Sequence, residues 1–186
     1  MPTDTPRVLV CIADGSEEIE AIAPGDILVR CGCDVTYAGV GGLSLSGSRG
    51  VPLRAEIPIE RAAAESWDLV VVPGGDRGAK NLSASETLNG LLLAHAGGDK
   101  WLGAICAAPA VVLAPLGLTD NKHVTCYPGY EDRLPDSARH TTDAVVVDGE
   151  LVTSRGPGTA IEFGLMLGRL VVGDDEAEAA ASGMLL

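Results

Sequence analysis

Cys106 stands where a short apolar run (Leu102, Ala104, Ile105) gives way to small residues and then Pro109, within the stretch WLGAICAAPAVVL. That order predicts a strand, a sharp turn and the start of a helix, with the thiol at the turn. A side chain held there projects from the carboxyl end of its strand, beside the unpaired N–H groups of the new helix. Those groups carry partial positive charge and favour a thiolate over a thiol, which makes Cys106 the candidate nucleophile. Free cysteine is also among the most buried residue types and serves as a small hydrophobe, so this stretch alone supports both readings. Glu20 is the second residue of interest, about one turn into an expected helix that starts at the carboxyl end of the first strand. A carboxylate there is either a proton-transfer group or an ordinary solvated helical side chain. Gly74-Gly75 comes third. A glycine pair after a strand lets the backbone approach a ligand and turn its N–H groups inward, and it equally makes a plain strand-to-helix turn.

These residues need elements to hold them. RVLVCIA (Arg7–Ala13) reads as a buried strand bounded by Asp14-Gly15. Ser16 then offers an N-cap, with Glu17 and Glu18 in the first turn, where carboxylates suit the helix dipole. The helix is expected to run to about Cys31 and to be closed by Gly32, with Ile19, Ile22, Ile27 and Leu28 on its apolar face. Asp34–Val40 supplies the next strand, so the chain opens β-α-β, the unit of a parallel sheet. A loop-rich segment holding Pro52 and Pro58 is expected to carry short strands at the sheet edge. Further strands are read over 67–72 and 122–125. A helix over 82–96 is capped by Ser83 or Ser85, and 144–147 and 151–153 form a hairpin around Asp148-Gly149. The turn SRGPGT leads into a helix over 159–172, with Pro157 near its first turn, and an acidic, Ala-rich tail helix follows. In open parallel sheets ligands bind outside the carboxyl ends of the strands. The turns bearing Glu20, Gly74-Gly75 and Cys106 all fall at that edge.

At 186 residues the chain suits one domain, 1–186, with a core built from Val, Leu, Ile and Ala, since it has only two Trp, three Tyr and one Phe. The net charge of −13, with three Lys in the whole chain, repels phosphate backbones and anionic membranes, so neither nucleic acid nor membrane is an expected partner. No apolar run approaches the ~18 to 20 residues of a membrane span. The N-terminal MPTDTPRVLV lacks the pattern of a secretory signal, which makes a cytoplasmic location the expectation. Five cysteines without repeated spacing argue against a disulfide framework, and Cys31-Gly32-Cys33 lacks a second pair to complete a metal site. No metal is expected.

The stretches ADGSEEIEAIAPGDILVRCG, DLVVVPGGDRGAKNL, GAICAAPAVVLA and LVTSRGPGTAIEFGL together resemble the DJ-1/PfpI superfamily, in its DJ-1 branch as found in bacteria. They span almost the whole chain in the family's order. The resemblance implies an α/β, flavodoxin-like three-layer sandwich with a mostly parallel central sheet, and a homodimer. It puts the reactive cysteine on Cys106, its partner carboxylate on Glu20, and backbone N–H groups of Gly75 and Ala107 at the sulfur or a bound oxyanion. Gly74, Tyr127 and Arg155, the last in the SRGPG turn, would line the site, and Arg30 and Arg49 match basic positions near the dimer interface. The activities it implies are glutathione-independent conversion of methylglyoxal to lactate, removal of early glycation adducts from proteins, and redox-linked chaperoning through a Cys106 sulfinate, with no cofactor. One position departs from many relatives: Tyr127 precedes Pro128 where they carry a histidine, and His123 and His140 do not fall on that motif. Acid-base work therefore rests on Glu20, helped by water or the Tyr127 hydroxyl.

A carboxylate beside a thiolate raises both pKa values. The pair makes sense if Glu20 is partly desolvated and keeps the proton, donating it as a hydrogen bond to a Cys106 thiolate, so that the two titrate as one unit.

Overall fold

The computed structural model describes residues 5–186. The expectation that no leader precedes the first strand rests partly on residues 1–4, which lie outside the described residues. β1 (Arg7–Ala13) is buried from Val8 onward. Such a strand belongs in the middle of a sheet covered on both faces. It pairs in parallel with β2 (Asp34–Val40) on one side and with β6 (Leu69–Val72) on the other. α1 (Glu18–Arg30) connects β1 to β2. Of the short strands expected next, β3 (Ser44–Ser46) and β4 (Pro52–Arg54) form a separate antiparallel pair, and β5 (Ile57–Pro58) adds to β2 as the sheet's edge. Pro58 has no N–H to offer a further strand, which suits that place. α2 (Ile59–Ala62) then leads towards β6.

The strand expected over 67–72 starts at Leu69, because Trp67 donates its indole N–H to the Ala62 carbonyl and Asp68 accepts the Arg7 N–H. The helix expected over 82–96 is α4 (Glu86–Ala96), capped by Ser85, and a further helix, α3 (Asp76–Ser83), begins directly after Gly75. β7 (Trp101–Ile105) follows. The apolar run after Cys106 does not form an ordinary helix. Pro109–Leu113 winds as a π-type turn and Ala114–Leu116 as a 3-10 turn. Pro115 has no N–H to carry an α-helical ladder forward. β8 (His123–Val124) pairs with β9 (Arg139–His140) outside the main sheet. The expected hairpin is formed by β10 (Val145–Asp148) and β11 (Leu151–Ser154), and α5 (Ala160–Val172) and α6 (Asp174–Gly183) end the chain.

The central sheet runs β10-β11-β7-β6-β1-β2-β5, parallel throughout except at β10–β11. α1, α5 and α6 pack together on one side, and α3, α4 and the 109–116 turns form the other layer. The fold is therefore an α/β three-layer sandwich of the flavodoxin-like kind. No helix among the described residues is long and apolar enough to cross a membrane.

Two expectations about α1 are corrected. Ser16 is not its cap: the Ser16 hydroxyl accepts the Ala13 N–H, and the Glu17 carboxylate accepts the Glu20 N–H at 2.9 Å. The inward face is Glu20, Ala21, Pro24, Gly25, Ile27 and Leu28, whereas Ile19 and Ile22 are 52% and 46% exposed. Small residues face inward because neighbouring groups come very close. A Cβ at Gly25 would lie 1.9 Å from the Tyr37 hydroxyl.

Candidate active site

β1, β6, β7 and β11 are parallel neighbours, so the turns that follow them meet at one edge of the sheet. β1 lies between β2, reached next in sequence, and β6, from which the chain winds the other way. The edge beside β1 and β6 is thus the switch point at which parallel sheets open a crevice. Glu20, Gly74-Gly75 and Cys106 converge there.

Cys106 has φ +64°, a left-handed conformation that costs a non-glycine residue on the order of 1–3 kcal/mol. Its neighbours hold it in place: its N–H donates to the Ser154 carbonyl and its carbonyl accepts the Tyr127 N–H, both at 2.9 Å. The side chain is 7% exposed and receives the N–H groups of Gly75 and Ala107. Gly74 is a steric requirement. A Cβ there would stand 2.6 Å from the Cys106 Cβ and 2.8 Å from Glu20 Oε2. Gly75, at φ +83°, turns its N–H towards the sulfur, and a Cβ on it would meet the Gly15 carbonyl at 2.3 Å.

Glu20 is fully buried. Its Oε2 accepts the Gly74 N–H at 2.9 Å. Its Oε1 has no hydrogen-bond partner among the described residues, and the carboxyl lies close enough to Cys106 for each group to act on the other's protonation. A carboxylate here would bury one charged oxygen with no N–H or O–H to meet it, whereas a carboxylic acid can donate to the sulfur. Burial accordingly pushes the Glu20 carboxyl up to about 7, against the opposing pull of the Cys106 hydrogen bond and the Gly74 N–H. Burial also pushes the Cys106 thiol up, followed by the charge of Glu20 when it is ionised, while the Gly75 and Ala107 N–H groups pull it down. Cys106 is therefore not acidic on its own account, contrary to the expectation from the turn alone. A thiolate exists at this site when Glu20 holds the proton and the repulsion between the two becomes a hydrogen bond.

The run Glu17, Glu18, Glu20 has three structural roles that dipole arguments do not separate. Glu17 caps α1 and donates its N–H to the Gly74 carbonyl at 3.1 Å, tying α1 to the glycine turn. Glu18 clamps the segment after β3, accepting the Ser48 hydroxyl and the N–H groups of Arg49 and Val51. Burial acts to raise its carboxyl, but those hydrogen bonds prevail and hold it below its ordinary value. Arg49, matched to the interface by resemblance, thereby lines the cavity at Cys106; Arg30 lies at the far end of α1, paired with Asp26 at 2.7 Å. The cavity holds about 380 Å³ and is also lined by Glu17, Ala107, Tyr127 and Tyr130. The Tyr127 ring packs over Gly156, and Arg155 is half-buried in the adjoining turn. Arg77, Asp76 and Tyr130 in the lining had no signal in the sequence.

The family model described as "DJ-1/PfpI family" matches residues 6–169. Protein DJ-1 homolog A of Arabidopsis thaliana is 45% identical over 94% of this chain, which spans 44% of that relative's length. Glutathione-independent glyoxalase DJR-1.2 of Caenorhabditis elegans is 30% identical over 93% of this chain and 92% of its own. The crystal structure of Drosophila melanogaster DJ-1beta superposes with a TM-score of 0.95 at 37% identity, covering 98% of this chain and 99% of that one. With the match running through every element from β1 to α5 and the same architecture in a solved relative, the chain belongs to the DJ-1/PfpI family.

Proposed function

We propose that the chain, acting as one domain, is a cysteine-dependent, glutathione-independent glyoxalase or protein deglycase. Its substrates are methylglyoxal or the early adducts methylglyoxal forms on proteins, in defence against carbonyl and oxidative stress. The observation that carries this reading is a proton-holding buried carboxyl, a thiol and two backbone N–H groups converging in one cavity. The name of the C. elegans relative supports the same chemistry. Five unpaired cysteines suit a reducing compartment, the cytoplasm.

The Cys106 thiolate attacks the aldehyde carbon and forms a C–S bond, and the oxyanion that develops meets the N–H groups of Gly75 and Ala107. The new alkoxide takes a proton to give the hemithioacetal. Glu20, now a carboxylate, removes the hydrogen from that carbon, and the electron pair moves through an enediol to the former ketone carbon, which receives the proton back from Glu20. The aldehyde carbon is thereby oxidised to a thioester and the ketone carbon reduced to an alcohol, so the redox change stays within the substrate. Water then cleaves the thioester, releasing lactate and the thiol. The purified protein is expected to form lactate from methylglyoxal without glutathione, and Cys106→Ser to fall to background. A second reading has its own support in the same groups: the two N–H donors and the Glu20 proton also suit a sulfinate, as in a redox-sensing chaperone. Wild-type protein that forms no lactate, but gives a stable Cys106 sulfinate with peroxide, would displace the enzyme reading with this one.

The homodimer belongs to the same proposal. Ile19, Ile22 and Val29 are exposed and fall within about 80° of one another around α1 at 100° per residue, an apolar stripe of the kind that marks an interface. In so acidic a chain Arg30 and Arg49 near that stripe would reduce repulsion between two copies. Light scattering is expected to give twice the mass of one chain, and Ile22→Glu to halve it. A single-chain mass for the wild type across micromolar concentrations and in high salt would refute the dimer.

A further inference from the structure

The segment from Pro128 to Leu134 forms part of the wall of the Cys106 cavity through Tyr130. Its backbone hydrogen bonds are local: the Tyr130 N–H donates to the Tyr127 carbonyl, Arg133 to Tyr130, and Leu134 to Glu131. Among the described residues, one hydrogen bond joins the segment to a part of the chain distant in sequence, from the Tyr130 hydroxyl to Asp76 Oδ1 at 2.7 Å. The tyrosine is oriented for it. The Arg133 guanidinium lies 5.1 Å from the centre of its ring, and the Tyr127 ring meets it edge-on at 6.3 Å. Asp76 in turn is the first residue of α3, directly after Gly75, whose N–H faces the sulfur. A tie 54 residues apart in sequence therefore joins the wall of the cavity to the helix end that supports the reacting atom. The reacting atoms themselves are recessed: Glu20 is fully buried and Cys106 nearly so.

We propose that the Tyr130–Asp76 hydrogen bond is a latch that holds the 128–134 segment against α3 and limits the Cys106 cavity to small free dicarbonyls, so that Tyr130 selects against adducts carried on protein side chains. This rests on the reading of Cys106 as the reactive group and chooses between its two substrate classes. The bond is charge-assisted but solvent-accessible, so its loss changes the open population by about tenfold and leaves the fold in place. Asp76 also pairs with Lys80 at 2.8 Å, so removal of the carboxylate must be separated from removal of the acceptor.

The test compares alkylation of Cys106 in the full chain by iodoacetamide and by a bulky fluorescein maleimide, read on the Cys106 peptide by mass spectrometry. In Tyr130→Phe and Asp76→Ala the rate with the bulky reagent relative to the small one is expected to rise about tenfold. Asp76→Asn keeps an acceptor oxygen while losing the Lys80 ion pair, and is expected to stay within about twofold of wild type. Turnover of a glycated peptide relative to methylglyoxal should rise in the same two variants. An unchanged reagent ratio in Tyr130→Phe and Asp76→Ala overturns the latch, as does an Asp76→Asn that behaves like Asp76→Ala. The alkylation ratio requires no turnover, so it judges the latch even if the protein proves not to be a glyoxalase.

Discussion

Glu20→Gln is expected to lose a hundred- to ten-thousand-fold of methylglyoxal turnover, the range typical of removing a general base, while Cys106 remains open to alkylation. The substitution separates two roles that the wild-type carboxyl combines. The Gly74 N–H dictates which end of the side chain carries an oxygen acceptor, so the amide nitrogen takes the place of Oε1, and the amide keeps a donor beside the thiol. A thiolate can then persist, but the amide cannot take a proton from one substrate carbon and return it to the next. In the wild type, kcat/KM should rise with pH through an apparent pKa near 7, the value to which burial pushes Glu20, as the pair gives up the first of its two protons. The Glu20→Gln profile should lack that step. Glu20→Ala removes the hydrogen bond as well, and should move the alkylation profile of Cys106. Near-normal turnover by Glu20→Gln would reduce Glu20 to a partner of the thiol and end the proton-shuttle mechanism.

The same substitution is expected to stabilise the protein above neutral pH. The Glu20 carboxyl titrates at about 7 when folded and near 4.3 in an unfolded chain. Between those values the folded protein holds a proton that the unfolded chain has released, so the wild type is relatively most stable below about pH 4. That contribution is lost as pH rises through 7. Glutamine does not titrate and keeps the side chain's shape and hydrogen bonds. The gap between variant and wild type should therefore be small at pH 4 and level off above pH 7 at about 4 kcal/mol, from ~1.4 kcal/mol per pKa unit. For a chain of this size that corresponds to a Tm higher by roughly 8–16 °C at pH 8. Equal melting temperatures at pH 8, or a difference that does not change with pH, would show that Glu20 is not held protonated by its burial. Paired with the loss of turnover, a gain here would mark Glu20 as a site where stability is given up for chemistry.

Much of this architecture was legible from local pattern. The β-branched runs ending in glycine turns, alternating with helical segments, determined the parallel α/β sheet, and the rule that such sheets bind at their carboxyl ends brought Glu20, Gly74-Gly75 and Cys106 to one edge. The bounds of β1 and β2 were read as they are found: β1, buried from Val8 onward, leaves a continuous apolar signal, and β2 lies between the glycine turns at Gly32 and Gly41-Gly42. α1 was harder, since both of its faces are apolar: the inward one is built of Ala21, Pro24 and Gly25 with Ile27 and Leu28, while Ile19, Ile22 and Val29 point out. Side-chain size there is set by how closely Tyr37 and α5 approach, a contact that hydropathy does not encode.

What only the tertiary structure decided are quantities that depend on groups distant in sequence. The protonation of the Glu20–Cys106 pair follows from burial by several elements and from the N–H groups of Gly74, Gly75 and Ala107, so the helix-terminus argument by itself misjudged the acidity of the thiol. The carboxylates of Glu17 and Glu18, equivalent in a helical pattern, diverge because one meets an N–H of its own helix and the other the 48–51 segment. Tyr130 and Asp76 meet because β6 and β7 are neighbours in the sheet and the chain returns after β8 to the end of β7, where the Tyr127 N–H donates to the Cys106 carbonyl. Sequence determines which residues can carry the chemistry, since side-chain type and local backbone preference are properties of single residues and their immediate neighbours. Charge state, access and partner choice are set by long-range packing, because desolvation and hydrogen bonding depend on what surrounds an atom rather than on what precedes it in the chain.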